Sequence, residues 1–357
     1  MMDKKHAPND PLPNATKLAS YQIVRMIARG GSSFVYLAED KQKKLVAIKE
    51  YIPHKLSLRD QAQLNVSIPI QHQREFRQSL KTFFSEYRTL SRVTHPGIIR
   101  VVDFFSAHNT FYLVTNYQPG SSLSDFIRHR LYKRMGYRKD SLLHVYLRYR
   151  RYKNRIIGSR QVIGERSIKK ILSLVIDAIS KLHEHEFLYL DLKPANIYLS
   201  YHGSPILLDL GAARCTLQEN RKRLNWVYTK GYAAPELLLK RRAWMGPWTD
   251  AYSIGATLFA CMCGYSPQSA DQREMNDRLP KAFKALRKLY SSDLLDLVEW
   301  CLLLDREQRP QSMAVLQERL LACQLNHAPR PRRRIVKRFF NWVRRKTKTG
   351  ASIAECT

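Results

Sequence analysis

The sequence predicts an α+β, bilobal chain: a small β-rich lobe with one main helix, followed by a larger, mostly α-helical lobe. Three observations predict it. Between residues 18 and 117, short runs with β-strand character recur: YQIVRMIA, SFVYLAED, LVAIKEYI, IIRVVDFFS and TFYLVTNY. Only one stretch there, Glu75 to Val93, places its apolar residues (Phe76, Leu80, Phe83, Phe84, Tyr87 and Leu90) on one helical face. Beyond Pro119-Gly120 the pattern turns helical, and a β-rich half followed by a helical half suggests two packed lobes.

Taken in order, residues 1–17 are polar and proline-rich and read as a flexible leader. Arg29-Gly30-Gly31-Ser32 is a hairpin signal between the first two strands, and His108-Asn109 plays that part between the last two. Pro53 to Gln73 reads as irregular. The first lobe spans 18–117 and the second 118–325. In the second, helices are expected at Ser122–His129, Ser167–His185, Trp248–Cys263, Leu279–Leu289, Asp293–Leu303 and Gln311–Gln324, with short strands around Ile197 and Ile206. A cleft between lobes is a favoured place for a ligand.

A hydrophobic fraction of 44% and a charged fraction of 25% exclude wholesale disorder. Sixty-one Lys and Arg against thirty Asp and Glu give a net charge of +31, which predicts attraction to polyanions: nucleic acid, anionic lipid or acidic proteins. The cysteines at 215, 261, 263, 301, 323 and 356 lack paired metal-site spacing, so free thiols in a reducing compartment are expected, with no disulfide partners. No secretory signal and no membrane span is read, which makes the cytoplasm the expected location.

The polar residues that carry chemistry lie in a definite order. Ile27-Ala-Arg-Gly30-Gly31-Ser32-Ser-Phe-Val35 is a small-residue turn between strands, although hairpin turns use glycine anyway. Val46-Ala47-Ile-Lys49 ends an apolar strand on a lysine, and Glu86 on the following helix could hold that amine. Asp191, Lys193 and Asn196 crowd a tight loop before Ile197-Tyr-Leu199, and Asp209-Leu-Gly211 follows the next strand. A bound triphosphate needs backbone amides over it, a fixed cation, oxygen ligands for Mg²⁺ and an acid beside the attacking hydroxyl. Those residues supply each requirement. One carboxylate and one amide, Asp209 and Asn196, suit a hard, oxygen-seeking Mg²⁺.

Taken together, the glycine turn, VAIK, helix Glu, D-L-K-P-x-N, D-x-G and A-P-E resemble the eukaryotic-like (Hanks-type) serine/threonine protein kinases over about residues 18–325. The resemblance implies the bilobal protein kinase fold and ATP with Mg²⁺ as cofactors. It makes Asp191 the catalytic base, Lys193 a contact to the moving phosphoryl group, and Lys49 a contact to the α/β-phosphates paired with Glu86. Asn196 and Asp209 would bind Mg²⁺. Ile27, Gly30, Gly31, Ser32, Val35 and Ala47 would surround the nucleotide, with the backbone of Asn116 and Gln118 meeting adenine behind Thr115. Thr229-Lys-Gly-Tyr-Ala-Ala-Pro-Glu236 looks like a peptide-docking loop, so protein substrates are implied. VAIKEYIP and YSIGATLFACMCGYSP look like bacterial members. The resemblance also implies that Asp250 braces the catalytic loop and Arg309 pairs with Glu236; read from the residues alone, both are simply buried ion pairs.

The chain departs from the family in places. The three-glycine loop appears as Ala28, Gly30 and Ser33, and a Cβ at the flanking positions stiffens it. The usual His-Arg before the base is Tyr189-Leu190, so the arginine that pairs with an activation-segment phosphate is missing. From Ala212 to Tyr228 the hydroxyl residues are Thr216 and Tyr228 alone. Both facts predict an enzyme independent of activation-loop phosphorylation. Leu210 fills an apolar slot more often held by phenylalanine.

Two segments carry much of the excess charge. Residues 128–160 are dense in Lys and Arg, interleaved with Tyr137, Tyr146, Tyr149 and Tyr152, and read either as a solvated insert or as a surface for an acidic partner or nucleic acid. Residues 326–357 form a basic tail. Within it Ile335, Val336, Phe339, Phe340, Trp342 and Val343 recur at helical spacing among basic residues, so 332–346 reads as an amphipathic helix suited to an anionic membrane surface or to docking on the core. Two other function classes remain: a pseudokinase scaffold, favoured by the altered glycine loop and Leu190, and a polyanion-binding protein on the same fold.

Overall fold

The computed structural model describes residues 10–30, 33–53, 56–59, 64–91, 93–134, 161–209, 214–215 and 228–325. They divide into two compact units, one within Met1–Thr94 and Ile99–Gln118, the other within His95–Ile98 and Pro119–Thr357. Most of the 128–160 insert and all of the 326–357 tail lie outside the described residues, as do Gly31, Ser32, Leu210 and Gly211.

The first unit is built on a six-stranded antiparallel sheet in the order β1-β2-β3-β4-β6-β5. The strands are β1 (Lys17–Leu18), β2 (Tyr21–Arg29), β3 (Ser33–Glu39), β4 (Leu45–Tyr51), β5 (Val101–Ala107) and β6 (Thr110–Asn116). The main helix, α1, spans Gln73–Leu90. Cross-strand registers Val35↔Lys49↔Leu113 and Leu37↔Ala47↔Thr115 put these residues on one face, because directly opposed residues project to the same side. Phe34, Tyr36, Ala38, Val46, Ile48, Glu50, Tyr112 and Val114 occupy the other.

That second face is a buried core, and it is closed by residues the composition reads as leader and as irregular chain. Leu12 is 3% exposed and packs with Leu18, Ile23, Tyr36, Ile52 and Val66 against the sheet. Beneath them Glu50, 0% exposed, accepts hydrogen bonds from Tyr36 Oη (2.8 Å), Tyr112 Oη (2.6 Å) and both terminal nitrogens of Arg59 (2.5 and 2.8 Å). Arg59 Nε donates to Asp10 O at 2.9 Å, and Leu12 N donates to Tyr36 Oη at 2.9 Å. Burial opposes the Arg59 charge, but hydrogen bonds to Glu50 outweigh it and raise its pKa. Burial, and then the Glu50 charge, push both tyrosine hydroxyls up, so they remain donors.

In the second unit, β7 (Gly120–Ser122), β9 (Ile197–Ser200) and β10 (Pro205–Leu207) form a three-stranded antiparallel sheet ordered β10-β9-β7, while β8 (Phe187–Leu188) pairs with β11 (Arg214–Cys215). The helices are α2 (Leu123–Arg134), α3 (Glu165–Glu184), α4 (Pro235–Leu238), α5 (Pro247–Cys263), α6 (Ala270–Met275), α7 (Leu279–Leu286), α8 (Ser292–Cys301) and α9 (Met313–Leu325). Helix α3 buries Ile168, Ile171, Leu172, Val175, Ile176, Ile179 and Leu182 at the expected spacing. Helix α5 is buried from Thr249 to Cys263, as an almost wholly apolar helix must be. Cys261, Cys263, Cys301 and Cys323 are free, buried thiols, and burial pushes Cys261 and Cys301 up to about 12. No described helix is long and apolar enough to cross a membrane.

Candidate active site

The loop from Tyr189 to Asn196 leaves β8 and enters β9, and its conformation is imposed from below. Leu190 has φ of +66°, a left-handed conformation that costs a side-chain-bearing residue about 1–2 kcal/mol. Asp250, 0% exposed near the start of α5, holds it there: Oδ1 accepts from Leu190 N at 2.8 Å and Oδ2 from Tyr189 N at 2.9 Å. His183 Nε2 lies 2.8 Å from the same Oδ2. Asp250 is therefore a brace for two backbone amides, which corrects its reading as a simple ion pair. A carboxylate offers two acceptor oxygens and suits the geometry; an amide offers one. Asp250→Asn is expected to orphan one buried N–H at about 1–3 kcal/mol. It should lower the melting temperature by several degrees and loosen the loop, both readable by calorimetry and by amide exchange at Tyr189 and Leu190.

With the loop so held, Asp191 is 4% exposed and hydrogen-bonded on both oxygens. Oδ1 accepts from Thr229 Oγ1 at 2.9 Å, and Oδ2 from Lys193 Nζ at 2.5 Å and Asn196 Nδ2 at 3.2 Å. Lys193 Nζ also donates to Thr229 Oγ1 at 2.7 Å. Asn196 Nδ2 makes a second bond to Asp191 O at 2.8 Å, so two acceptors fix which way the amide faces. Its oxygen is thereby turned away from Asp191.

The hairpin β9–β10 brings Asp209 to the same end of the sheet. Its register pairs Ile197 with Leu207, and one step further Leu208 N donates to Asn196 O at 2.8 Å. Tyr189 Oη donates to Leu208 O. Asn196 and the exposed Asp209, with φ of +53°, thus flank one ladder end, where two oxygen-bearing side chains suit a hard cation.

Thr229 begins a segment anchored at its far end. Glu236 is buried, and Arg309 clamps both of its oxygens at 2.9 Å while also donating to the carbonyls of Leu303, Leu304 and Trp248. Here the reading as a buried ion pair describes what the structure contains. Gly231, at φ of +89°, lets the chain turn between Thr229 and Glu236; a Cβ there would sit 3.0 Å from Pro267 O.

The first unit holds the remaining predicted residues. Lys49, Ala47, Val35 and Thr115 share one face of the sheet. Gly30 N donates to Ser33 O at 2.8 Å and closes the turn. The register sets Ala28 opposite Val35, and Ile27 is the extra residue of a bulge. Thr115 Oγ1 donates to Ala47 O at 3.4 Å. Asn116 N is taken by Arg100 O at 3.2 Å. The backbone of Glu86 lies in α1; its side chain lies outside what is described. Sequence reasoning missed His183 and Glu50, whose partners are 67 and 9–62 positions distant.

The protein kinase domain model matches residues 21–321. The chain belongs to the protein kinase domain family. The kinase domain is 26% identical over 260 residues to the calcium/calmodulin-dependent protein kinase cmkA of Emericella nidulans, covering 71% of this chain and 55% of that protein. It is 25% identical over 327 residues to the bacterial serine/threonine-protein kinase PknD of Protochlamydia amoebophila, covering 83% and 29%. The solved structure "PpkA-294 apo form" matches with a TM-score of 0.68 at 27% identity, covering 87% of this chain and 99% of that one. The kinase domain spans about half or less of the length of these two curated relatives.

Proposed function

We propose that this kinase domain transfers the γ-phosphoryl group of ATP, with Mg²⁺, to serine and threonine hydroxyls of proteins. The observation that carries the reading is Asp191, buried, left-handed chain before it, and tied to Lys193, Asn196 and Thr229 at once. In this reading Asp191 accepts the substrate hydroxyl's proton, and Lys193 neutralises charge on the moving phosphoryl group. Asn196 and Asp209 hold the metal, while Lys49 paired with Glu86 contacts the α/β-phosphates. Thr229, bonded to both Asp191 and Lys193, links the docking segment to the base. Incubation with ATP and a general acceptor protein should place phosphate on serine and threonine, on the enzyme's own chain as well, and EDTA should stop the reaction.

Leu190 supports a finer expectation. With leucine there, no cation from this position awaits an activation-segment phosphate, and Asp250 already fixes the loop. Phosphatase treatment should therefore leave peptide phosphorylation within about twofold of the untreated rate; abolition would refute independence from such phosphorylation. The charge pattern of 332–346 supports reversible attachment of a cytoplasmic protein to anionic membrane, and that of 128–160 an acidic partner or nucleic acid. Flotation with acidic against neutral vesicles tests the former.

A further inference from the structure

Immediately after the docking segment the chain exposes a compact basic and apolar patch. Leu239 is 59% exposed and Trp244 40%. Lys240 and Arg241 are exposed between them. The guanidinium of Arg241 lies 5.1 Å from the Trp244 ring centroid, and that of Arg306 lies 4.8 Å from it. Arg306 Nη1 is buried and has no hydrogen-bond partner. The nearest acid, Glu307, is 3.6 Å from Arg306 and 78% exposed; the carboxylate of Asp305 is already taken by Glu307 N and Gln308 Nε2.

The patch is rigidly placed. Arg241 N donates to Glu236 O at 3.0 Å, so it hangs from the residue Arg309 clamps. Lys240 turns the chain at φ of +55° and Trp244 N donates to Arg241 O at 2.9 Å. We infer that Leu239, Lys240, Arg241, Trp244 and Arg306 form a docking surface for an acidic segment carrying an apolar residue, presented by the kinase domain's protein substrate. The inference rests on the proposed protein-kinase activity. Charge decides the occupant's sign: Lys240, Arg241 and Arg306 bring three cations to the patch, against the carboxylates of Glu307 and Asp305 beside Arg306. Two guanidinium groups already lie over the Trp244 ring, so the indole holds cations in place and is a poor platform for stacking bases. The exposed Leu239 supplies the apolar contact that a bare polyanion would not use.

The test uses the full chain, a fluorescein-labelled 12-residue peptide of glutamates and two leucines, and casein as an acidic protein substrate. Lys240→Glu with Arg241→Glu should weaken peptide binding at least about tenfold by anisotropy and raise the KM for casein about fivefold, with kcat within twofold. Lys41→Glu with Lys44→Glu makes the same charge change on an exposed turn of the first unit and should change neither by more than twofold. Equal losses in the two variants would overturn the inference, as would unchanged peptide binding in the first. So would tighter, patch-dependent binding of a 12-residue oligothymidylate. If wild type transfers no phosphate to casein yet loses peptide binding in the first variant, the activity reading fails and the surface stands.

Discussion

Phosphoryl transfer should fall about a thousandfold in Asp191→Asn, within the range of about 10²–10⁴ that a positioned acid or base contributes. The asparagine retains an acceptor for Thr229 Oγ1 but not the charge that meets Lys193 Nζ at 2.5 Å, and it cannot take up a proton. Lys193 is left without its counter-charge at the position proposed for the moving phosphoryl group. Nucleotide binding should survive, because Asn196 and Asp209 are untouched; a fluorescent ATP analogue with Mg²⁺ should bind within about threefold of wild type. A variant that keeps its transfer rate would show that Asp191 is not the base. A wild type as inactive as the variant would turn the reading toward a pseudokinase scaffold.

Arg59→Met should cost about 3–5 kcal/mol of folding stability, the usual penalty for leaving one partner of a buried ion pair unpaired. Glu50 is wholly buried, and the two tyrosine hydroxyls that remain can hydrogen-bond its carboxylate but cannot neutralise it. Adding Glu50→Gln removes the stranded charge while keeping an acceptor for Tyr36 and Tyr112, and should recover at least half of the loss. Urea denaturation of the two variants separates the cases. Because Glu50 follows Lys49 on β4, the single variant should also weaken nucleotide binding more than its loss of stability predicts.

The site in the second unit was readable in the sequence because its parts are close in the chain. Asp191, Lys193 and Asn196 fall within six residues, and a four-residue hairpin turn returns Asp209 beside them. The strands of the first unit were readable from their runs, except β1, which is only two residues long. Two helices, Pro235–Leu238 and Ala270–Met275, span less than two turns and show no usable period. The buried Glu50 gave no signal, since its partners Arg59 and Tyr112 lie in separate segments and nothing local marks their meeting. The resemblance pointed to Asp250 as a brace, but the residues alone gave only a buried acid in an ion pair, because nothing local marks main-chain amides 60 and 61 positions away as its partners.

Similarity to the family begins at Tyr21, but the folded body begins earlier. Ahead of Tyr21 lie Asp10, which receives Arg59, and Leu12 and Leu18, which roof one side of the sheet. A polypeptide trimmed to the recognisable homology would keep every motif and shed this lid. It would expose an oily surface, strip Arg59 Nε of its acceptor Asp10 O, and leave Tyr36 Oη without the amide of Leu12. A sequence grafted in front of Tyr21 would have to supply an apolar cover for Ile23, Tyr36, Ile52 and Val66 and an acceptor for Arg59 to keep that face buried.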